Sequence, residues 1–413
     1  RVTFESKPFP LPARLLHAAW RGAAKIGIGH SQLTEESLIR AARRTTGLHD
    51  FVDDSFRVPM RRMLHSLENE GGLHPLGRTA IRESLVRALV NRLRLEEACD
   101  RHPEIAEIEI KNPVFVVGLQ RTGTTLLQRL LTCEPQLRSM AAWEGLNPAP
   151  FPKATDRLGR DPRIQLARNA ERALLYLSPE LFAIHPVIAE EPEEDIHLLD
   201  ISFVSPAIDA IARAPSYQDW FRTVDQLPSY RYMRRLMQLL LWQRGGRWLG
   251  KTPHHLEYLD ELLTVFPDAK IIITHRDPAR TVASFCSMMA HSRMMFSDRT
   301  SPVEIGRQFS AKAIRAVERS MDARTRLDES AFLDVLYQDV VADPLKEVRR
   351  VYDFIGLDLA PTTEASMQAW LKSNTQTKHG VHGYRLEDFG LKREELDPHF
   401  EAYRARYGVP IEL

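Results

Sequence analysis

The sequence predicts an α/β fold of three layers, in which helices cover both faces of a central, mostly parallel sheet. Short apolar segments such as "VFVVG" (114–118) and "KIIITH" (270–275) alternate with segments of helical periodicity. Continuous apolar strands separated by helices are typical of parallel sheets that are buried on both faces. The first such strand is followed by a glycine-rich turn and a helix, the order that phosphate-binding loops have. These observations predict a P-loop-like α/β/α architecture with added helical parts.

The first part of the chain, residues 1–105, is predicted to be a helical N-terminal region. The segment "LTEESLIRAARRTTGL" starts a helix at Thr34, with glutamates in its first turn. Two later segments, "SFRVPMRRMLHSLENEG" and "TAIRESLVRALVNRLRLEEACDRHP", space their apolar residues as an amphipathic helix does. The last segment ends at Pro103, and a strand pattern begins just beyond it. We therefore place a domain boundary near residue 106, with an α/β domain over 106–413.

Four pairs of a strand and a helix follow in the α/β domain. The predicted strands are "VFVVG", "RWLGK", "KIIITH" and "FLDVLY", and the helices after them are predicted over 124–133, 254–264, 278–290 and 343–354. A long, mostly helical insertion at about 145–245 separates the first two strands, and insertions of that length often carry substrate contacts or a lid. It contains the acidic segment "EEPEEDIHLLD" at 190–200. Acidic segments usually lie on solvated faces, so we assign this one at most a role in shaping the substrate site.

The composition excludes several classes of protein. Hydrophobic residues make up 43% of the chain and charged residues 27%, which is typical of globular proteins. The net charge of +1 gives no reason to expect nucleic acid as a partner. No apolar run approaches the roughly 20 residues that span a membrane. The three cysteines, Cys99, Cys133 and Cys286, are far apart and odd in number, which disfavours disulfides and suits a reducing, cytoplasmic location.

The turn after the first strand predicts an anion site without the usual lysine. Gly118 and Gly123 keep the spacing of a phosphate-binding loop, but Thr124 stands where such a loop has its lysine. Glycines let backbone N–H groups point inward, and the start of the following helix adds partial positive charge. Arg121 is the only cation of the loop, and it can reach the oxygen that bridges a phosphate and a transferred group. The residues predicted to bind the ligand here are Gly118, Gln120, Arg121, Thr122, Gly123, Thr124 and Thr125.

A second anion site is predicted in "KIIITHRDPARTVASFCSM", residues 270–288. The strand is followed by Arg276, Asp277 can cap the next helix, and Pro278 suits the first helical position. Ser284 lies eight residues after Arg276, about two helical turns along. Because the two loops follow neighbouring strands, a single ligand with two separated phosphates would satisfy both.

These two motifs together resemble those of the sulfotransferase superfamily, most closely its bacterial branch. "GLQRTGTT" is similar to the family's 5′-phosphosulfate loop, and "RDPARTVAS" is similar to its 3′-phosphate site. The likeness extends from about residue 106 to the C-terminus and includes "WLGKTPHHL", "LYQDVVADP" and "HGYRLEDFGL". It implies transfer of a sulfuryl group from 3′-phosphoadenosine 5′-phosphosulfate (PAPS) to a hydroxyl or amine of a small-molecule or carbohydrate acceptor. The product would be 3′-phosphoadenosine 5′-phosphate (PAP), and no metal would be required.

The resemblance also implies roles for individual residues. Arg121 takes the place of the family's catalytic cation, and Lys251 in "GKTP" is expected to be a second electrostatic stabiliser. Glu144 in "MAAWEGLNP" is the expected base that takes the proton of the acceptor. Related enzymes of the cytosolic type use a histidine instead, so His254 and His255 are alternatives.

Two further features correspond to the nucleotide end of the site. Tyr337 resembles the family tyrosine near the adenine, although a core tyrosine at a strand end is an equal alternative. The C-terminal segment "TKHGVHGYRLEDFG" departs from the Arg-Lys-Gly motif of cytosolic relatives. The residues of this segment that could close over the nucleotide are Lys378, His379, His382 and Tyr384.

Two other functions stay open on the sequence alone. A P-loop nucleotide kinase or hydrolase would share the loop, but the absent lysine disfavours it, and magnesium-dependent ATP turnover would favour it. A non-catalytic binder of adenosine bisphosphate would keep nucleotide binding without turnover of the donor. The sequence does not identify the acceptor, which could be a phenol, sterol, sugar or amine. It also leaves the oligomeric state open, with a homo-oligomer as one option.

Overall fold

The computed structural model describes residues 10–25, 31–151, 161–374 and 383–412. At its centre lies a five-stranded sheet with the order β2-β3-β1-β4-β5, in which all neighbouring strands are parallel. The strands are β1 (Val114–Gly118), β2 (Leu137–Arg138), β3 (Arg247–Lys251), β4 (Lys270–His275) and β5 (Phe332–Leu336). The predicted parallel sheet is therefore confirmed, with the four predicted strands in place.

β2 is the strand that the sequence did not predict. It pairs with the start of β3, Leu137 with Arg247 and Arg138 with Trp248. A strand of two residues is too short to show the pattern of apolar and polar side chains from which strands are predicted. β2 lies at the edge of the sheet, so the four predicted strands remain next to one another.

β1 lies in the middle of the sheet, and its pairing determines where both predicted loops lie. Val116 pairs with Lys251 of β3 and with Ile272 of β4, and Gly118 pairs with Thr274. Every residue of β1 is buried. Because the strands are parallel, their carboxyl ends share one edge of the sheet, and the loops after β1, β3 and β4 meet at that edge.

The described N-terminal helices are α1 (Leu11–Lys25), α2 (Glu35–Thr46), α3 (Arg57–Asn69) and α4 (Pro75–Arg101), followed by a 3₁₀ turn at Pro103–Glu107. α2 starts as predicted, because the Thr34 side chain accepts a hydrogen bond from the Ser37 N–H at 3.3 Å. Arg235 binds α4 to the rest of the chain by donating to both Glu96 carboxylate oxygens, at 2.8 and 2.7 Å. Apolar residues of α2, α3 and α4 share one core with residues of the sheet. The domain boundary near residue 106 stays a prediction.

The helical insertion lies between β1 and β3, after the helix that follows β1. Several of its helices have proline in their first turn, where the missing N–H group costs no hydrogen bond. These prolines divide the insertion into separate helices. The helix that follows β1 is α5 (Thr124–Leu131). The helices between it and β3 are α6 (Ala142–Leu146), α7 (Pro162–Leu177), α8 (Pro179–Ile184), α9 (Ile196–Asp200), α10 (Pro215–Phe221) and α11 (Leu227–Arg244), with a 3₁₀ turn at Pro206–Ala210.

The remaining helices complete the layers around the sheet. The helix predicted over 254–264 is divided, because Thr252 caps a 3₁₀ turn at Pro253–Glu257 before the next helix starts. No helix in the described ranges combines the length and the apolar character that a membrane crossing requires. The helices are α12 (Leu259–Val265), α13 (Pro278–Met294), α14 (Pro302–Ala323), α15 (Tyr337–Ala342), α16 (Pro344–Ile355), α17 (Pro361–Ser373) and α18 (Arg393–Tyr407), with 3₁₀ turns at Glu329–Ala331 and Leu386–Phe389.

The two faces of the sheet bury their side chains in two different cores. Val114 and Val116 of β1 point to one face, where they belong to a core with residues of α5 and α16. Phe115 and Val117 point to the other face, into the larger core that also holds α11 and N-terminal residues. Alternation along a strand sends neighbouring side chains to opposite faces. The sheet is thus covered on both sides, as the predicted three-layer fold requires.

Candidate active site

The loop between β1 and α5 has the backbone of an anion-binding turn. The φ angles are 152° at Gly118 and 91° at Gly123, and α5 starts directly after Gly123. A Cβ atom at Gly118 would lie 2.5 Å from the Thr274 Oγ1, so β4 approaches too closely for a larger residue. The buried Thr122 hydroxyl donates to the Leu119 carbonyl at 2.7 Å, which stabilises the turn. The free N–H groups at the start of α5 therefore face a narrow glycine-lined turn, which suits an anion.

Arg121 joins this loop to two other parts of the molecule. Its φ of 69° is uncommon for a residue other than glycine. Its side chain is exposed, and Nη1 donates to the Ile184 carbonyl at the end of α8, 3.0 Å away. The Arg121 carbonyl accepts a hydrogen bond from Nη1 of Arg276 at 3.0 Å. The loop thus contacts the insertion on one side and the second predicted anion site on the other.

Arg276 lies directly after β4, at the centre of that second site. Its Nε and Nη2 each donate to the Glu412 carboxylate at 2.8 Å. Its guanidinium lies 3.9 Å from the centre of the Tyr337 ring. The same ring covers Gly123, where an added Cβ atom would lie 3.1 Å from the ring. The structure therefore brings Arg276 and Tyr337 together with the first loop.

The two other residues of the second site lie on α13. Asp277 takes the N-cap position, but its side chain makes no capping hydrogen bond. Its carboxylate instead accepts from the Glu412 N–H at 3.0 Å and pairs with Arg404 at 3.4 Å. The prediction that Asp277 caps the helix is wrong, because these contacts orient the carboxylate away from the helix N–H groups. Ser284 is buried, about two turns into α13.

Lys251, at the end of β3, forms a buried ion pair with Glu194 of the insertion. The Lys251 side chain is 2% exposed, and Nζ donates to the Glu194 Oε1 at 2.9 Å and to the Thr125 Oγ1 at 3.5 Å. The Thr252 hydroxyl donates to the other Glu194 oxygen at 3.1 Å. Burial alone would raise the pKa of the Glu194 carboxyl, but Lys251 and His185 beside it hold that pKa well below its usual value. Glu194 is therefore an ionised carboxylate next to the start of α5.

Glu194 also belongs to a group with His185 and Glu193. One ligand atom of each residue lies within 4.8 Å of the others, so within the described ranges this group could hold a metal ion. The His185 Nε2 lies 3.8 Å from Glu194 Oε1. The Lys251 ammonium already neutralises this carboxylate, and a second cation beside it would meet charge repulsion. The sequence prediction that no metal is needed stays a prediction.

A cavity of about 310 Å³ opens beside the loop and this ion pair. Leu119 and Gln120 of the loop line it at one end, together with Glu193, Glu194 and Thr252. Most of the remaining wall is apolar and comes from the insertion, α13 and α14. The apolar side chains of this wall include Leu174, Leu181, Val187, Ile196, Phe285, Met288, Met289 and Phe309. The site thus combines a charged end with an apolar body.

The two histidines that the sequence offered as alternative bases have different surroundings. His254 lines the cavity, and neither of its ring nitrogens has a hydrogen-bond partner among the described residues. Burial lowers the pKa of His254 well below its usual value, so the ring is neutral. His255 is fully buried, with Nδ1 2.9 Å from the Tyr230 hydroxyl and Nε2 3.5 Å from the Asp195 carboxylate. Only His254 of the pair faces the cavity.

Glu144 lies apart from the cavity wall. Its side chain is fully buried, and one carboxylate oxygen accepts from the Ala141 N–H at 2.9 Å. The other oxygen pairs with Arg138 and lies 3.7 Å from the Arg244 Nε. These contacts engage the whole carboxylate at the start of α6. Glu144 therefore has the environment of a structural residue.

The C-terminal segment is only partly described. Lys378, His379 and His382 lie outside the described residues. Tyr384 lies inside them, and the Arg280 guanidinium is 5.0 Å from the centre of its ring. The structure thus brings one of the four predicted residues next to α13.

Glu194 and His185 are the site residues that sequence reasoning missed. Both lie in the insertion, and Glu194 belongs to the acidic segment at 190–200, which was assigned at most a role in shaping the substrate site. Glu193 and Asp195, its neighbours, are buried, in contrast to the solvated face that acidic segments usually form. A proline between pairs of acidic residues was the only local signal, and it does not indicate burial.

Comparison with known proteins identifies the family. Residues 113–361 match the family model described as the sulfotransferase family. The chain is 33% identical to sulfotransferase STF1 from Mycobacterium tuberculosis H37Rv, covering 91% of this chain and 99% of that one, with a TM-score of 0.79. It is 28% identical to sulfotransferase STF9 from Mycobacterium avium, covering 92% and 98%, with a TM-score of 0.84.

A curated relative is similar over a shorter region. Omega-hydroxy-beta-dihydromenaquinone-9 sulfotransferase Stf3 of Mycobacterium bovis is 24% identical to this chain, over 74% of this chain and 77% of its own length. The family match covers more than half of the chain, and the solved relatives cover nearly all of it. This protein therefore belongs to the sulfotransferase family and is a sulfotransferase enzyme.

Proposed function

We propose that this enzyme transfers a sulfuryl group from PAPS to the hydroxyl of a largely apolar small molecule. The observation that carries the proposal is the ion pair of Lys251 and Glu194, which lies between the glycine-rich loop and the apolar cavity. Family membership sets aside the two alternatives, a P-loop kinase or hydrolase and a non-catalytic nucleotide binder. Transfer to an amine or to a carbohydrate is the second candidate, and the apolar wall makes it less favourable.

The donor would bind along the carboxyl edge of the sheet. The turn at Gly118 is too tight for a side chain. Backbone N–H groups of this turn and of the start of α5 would bind the 5′-phosphosulfate. Arg276 would bind the 3′-phosphate, and Tyr337 would lie near the adenine. The hydrogen bond from Arg276 to the Arg121 carbonyl supports a single ligand across both sites. The other residues that we propose as donor contacts are Gln120, Thr122, Gly123, Thr124, Thr125 and Ser284.

Arg121 and Lys251 would stabilise the charge of the leaving group. In the transfer, the acceptor oxygen forms a bond to sulfur, and the bond from sulfur to the bridging phosphate oxygen breaks. The bridging oxygen keeps the electron pair, so negative charge grows on the 5′-phosphate of PAP. Lys251 already lies 3.5 Å from the Thr125 hydroxyl at the start of α5, where this charge would develop. Arg121 is the exposed cation of the same loop.

Glu194, rather than Glu144, is the base that the geometry favours. Glu194 lines the cavity, whereas the Glu144 carboxylate is engaged by the Ala141 N–H and two arginines. Lys251 lowers the proton affinity of Glu194 while the two are paired. A bound phosphosulfate would draw the Lys251 ammonium toward its own charge, and the pKa of Glu194 would rise. Donor binding would thereby prepare the carboxylate to accept the proton of the acceptor hydroxyl.

His254 would position the acceptor. It faces the cavity as a neutral ring, and its pKa is lowered so far that it is a weak base. Its ring nitrogens lack partners among the described residues, so either could bond to the acceptor hydroxyl. His255, held between Tyr230 and Asp195, would support the strand end that carries Lys251.

The shape of the cavity supports an apolar alcohol as acceptor. Apolar side chains of α13 and α14 form much of its wall, and a sugar would leave its hydroxyls without partners there. The relative Stf3 is named as a sulfotransferase of omega-hydroxy-beta-dihydromenaquinone-9, so its acceptor carries a hydroxyl group. We extend that class of acceptor to this chain, in a catalytic domain over 106–413.

Calorimetric titration with PAP, beside ATP with magnesium, tests the donor. We expect binding of PAP and none of ATP. Turnover of PAPS is then measured with a panel that contains a long-chain alcohol, a simple phenol, a sugar and an amine. Preference for the sugar or the amine would contradict the proposed acceptor, and binding of ATP alone would contradict the proposed donor.

A further inference from the structure

A second cavity lies back to back with the proposed acceptor cavity. It also has a volume of about 310 Å³, and it lies among α10, α13 and α14. The two cavities share Pro206, Asp209 and Lys312 as wall residues. The Lys312 Nζ lies 3.5 Å from an Asp209 carboxylate oxygen. A single layer of side chains, with this ion pair in it, therefore separates the two cavities.

The second cavity is strongly basic. Its described lining holds three carboxylates, those of Asp209, Asp219 and Glu304. They pair with Lys312, Arg222 and Arg213 in that order, and Arg315 pairs with Glu257 outside this wall at 2.6 Å. Within the described ranges this leaves Arg293 and Arg307 as the wall cations without an ion-pair partner. The cationic side chains of the lining are Arg213, Arg222, Arg293, Arg307, Lys312 and Arg315.

Arg293 is the cation whose environment points to a missing anion. It is 3% exposed, and its Nε donates to the Asp209 carbonyl at 2.7 Å. Its Nη2 donates to the Gln308 amide oxygen, also at 2.7 Å. Both partners are uncharged, and no carboxylate in the described ranges forms an ion pair with this guanidinium. The Asp209 and Glu304 carboxylates stabilise the Arg293 charge only from beyond ion-pair distance. A bound anion in direct contact would further offset the cost of burying this guanidinium.

Two further groups of this cavity have unused hydrogen-bonding capacity. The Gln308 Nε2 is buried and has no hydrogen-bond partner among the described residues. The neighbouring Arg307 is exposed, and its guanidinium forms no ion pair with the described part of the chain. Together with Arg293, these groups offer amide and guanidinium donors to one ligand. Such donors match carboxylate and phosphate oxygens.

We propose that this second cavity binds an anionic group, a carboxylate or a phosphate, through Arg293, Arg307 and Gln308. The group has two sources, the acidic end of the acceptor or a free small anion. The shared wall favours the first source, in which the hydroxyl of an elongated acceptor reaches Glu194. Its acidic end then reaches Arg293 once the Lys312 side chain turns out of the wall between the two cavities. Binding of the acceptor's acidic end rests on the proposed function, whereas binding of a free anion does not.

The test uses two acceptor probes of equal chain length, 12-hydroxydodecanoate and dodecane-1,12-diol, and inorganic phosphate as the free anion. Binding of each to the full chain is measured by calorimetry in the presence of PAP, and PAP binding is measured alone. The variant is Arg307→Gln, which changes an exposed side chain and so preserves folding. The control is Arg40→Gln, an exposed arginine of α2.

If the acidic end of the acceptor is bound, the hydroxy acid binds more tightly than the diol. Arg307→Gln then weakens the hydroxy acid about fivefold, with the diol unchanged. If a free anion is bound, phosphate binds the wild type, Arg307→Gln weakens it, and the two probes bind equally. Both results support the site, and in both Arg40→Gln behaves as the wild type.

Absence of phosphate binding together with equal binding of the two probes would overturn the proposal. So would a preference for the hydroxy acid that Arg307→Gln leaves intact. A failure of the proposed function would be recognised separately, because the wild type would then not bind PAP. The anion site does not affect PAP binding.

Discussion

The Lys251 ammonium lies 2.9 Å from the Glu194 carboxylate and 3.5 Å from the Thr125 hydroxyl. One buried cation thus contacts both the proposed base and the helix start at which the donor would bind. The charge on the donor and the proton affinity of the base are coupled through it. In the proposed mechanism, this arrangement would let Glu194, whose pKa is strongly lowered, act as a base once the donor is bound.

Glu194→Gln is expected to reduce turnover by about a hundredfold or more, because the variant has no base to take the proton of the acceptor hydroxyl. PAP binding should stay close to that of the wild type, since Glu194 is not proposed to contact the nucleotide. Glu144→Gln is the matched variant, and it should lower the melting temperature while the folded protein keeps its turnover. Steady-state rates, PAP titrations and thermal melts check both. The opposite pattern, an inactive Glu144→Gln and an active Glu194→Gln, would restore the base predicted from the sequence.

Glu412→Gln is expected to tighten PAP binding severalfold. Glu412 holds the Arg276 guanidinium in two hydrogen bonds of 2.8 Å, so a 3′-phosphate must compete with this carboxylate. Arg276→Ala should weaken PAP binding by about tenfold or more, because it removes charge-assisted hydrogen bonds. Calorimetry measures both changes. Weaker binding in Glu412→Gln would mean that the carboxylate orients Arg276 and does not compete with the ligand.

The stability of the fold is expected to decrease below neutral pH because of His74. Its Nδ1 accepts a hydrogen bond from the Gly77 N–H at 2.9 Å, and burial lowers its pKa from 6.5 to about 4. The folded state therefore binds the proton more weakly than the unfolded chain. Stability is full above pH 6.5 and decreases as the pH falls from 6.5 toward about 4.

The test of this effect compares urea unfolding at neutral pH and near the lower pKa. We expect His74 to account for a loss of about 2 kcal/mol between the two conditions. His74→Asn keeps an acceptor at the start of α4 and should lose that part of the pH dependence. His49→Asn, at an exposed histidine, is the control. An equal pH dependence in His74→Asn and wild type would remove His74 as the cause.

A chelator is expected to leave turnover unchanged. His185, Glu193 and Glu194 could supply metal ligands, but Lys251 already neutralises the Glu194 carboxylate. The measurement is the initial rate after dialysis against EDTA, with zinc and magnesium added back separately. Loss of activity that one of the metals restores would show that a metal ion, rather than Lys251, neutralises the Glu194 carboxylate in the active enzyme.

The sequence was most informative where the determinants are local. The glycines of the loop follow an apolar strand directly, and Arg276 follows another, so spacing alone placed both at one edge of a parallel sheet. The structure confirms that the glycine-rich loop and Arg276 lie at the same edge of the sheet. The same local reasoning found Lys251 at the end of β3.

Glu194 could not be predicted in this way. Its role depends on Lys251, which is distant in sequence and reaches it only when the insertion folds over the sheet. Composition suggested a solvated face for the acidic segment, because burial of carboxylates becomes favourable only when their partners are known. Glu144 had the expected position in the sequence, but its contacts with Arg138 and Ala141 depend on tertiary packing.

The hydrogen bond from Arg121 to the Ile184 carbonyl has a consequence for the order in which substrates bind. α8 ends at Ile184 and contributes Leu181 to the wall of the acceptor cavity. If Arg121 turns toward the donor, it must release α8, and the wall of the neighbouring cavity loses a contact. We therefore expect compulsory-order kinetics in which the donor binds first and admits the acceptor, and initial-rate patterns with PAP as an inhibitor would reveal that order.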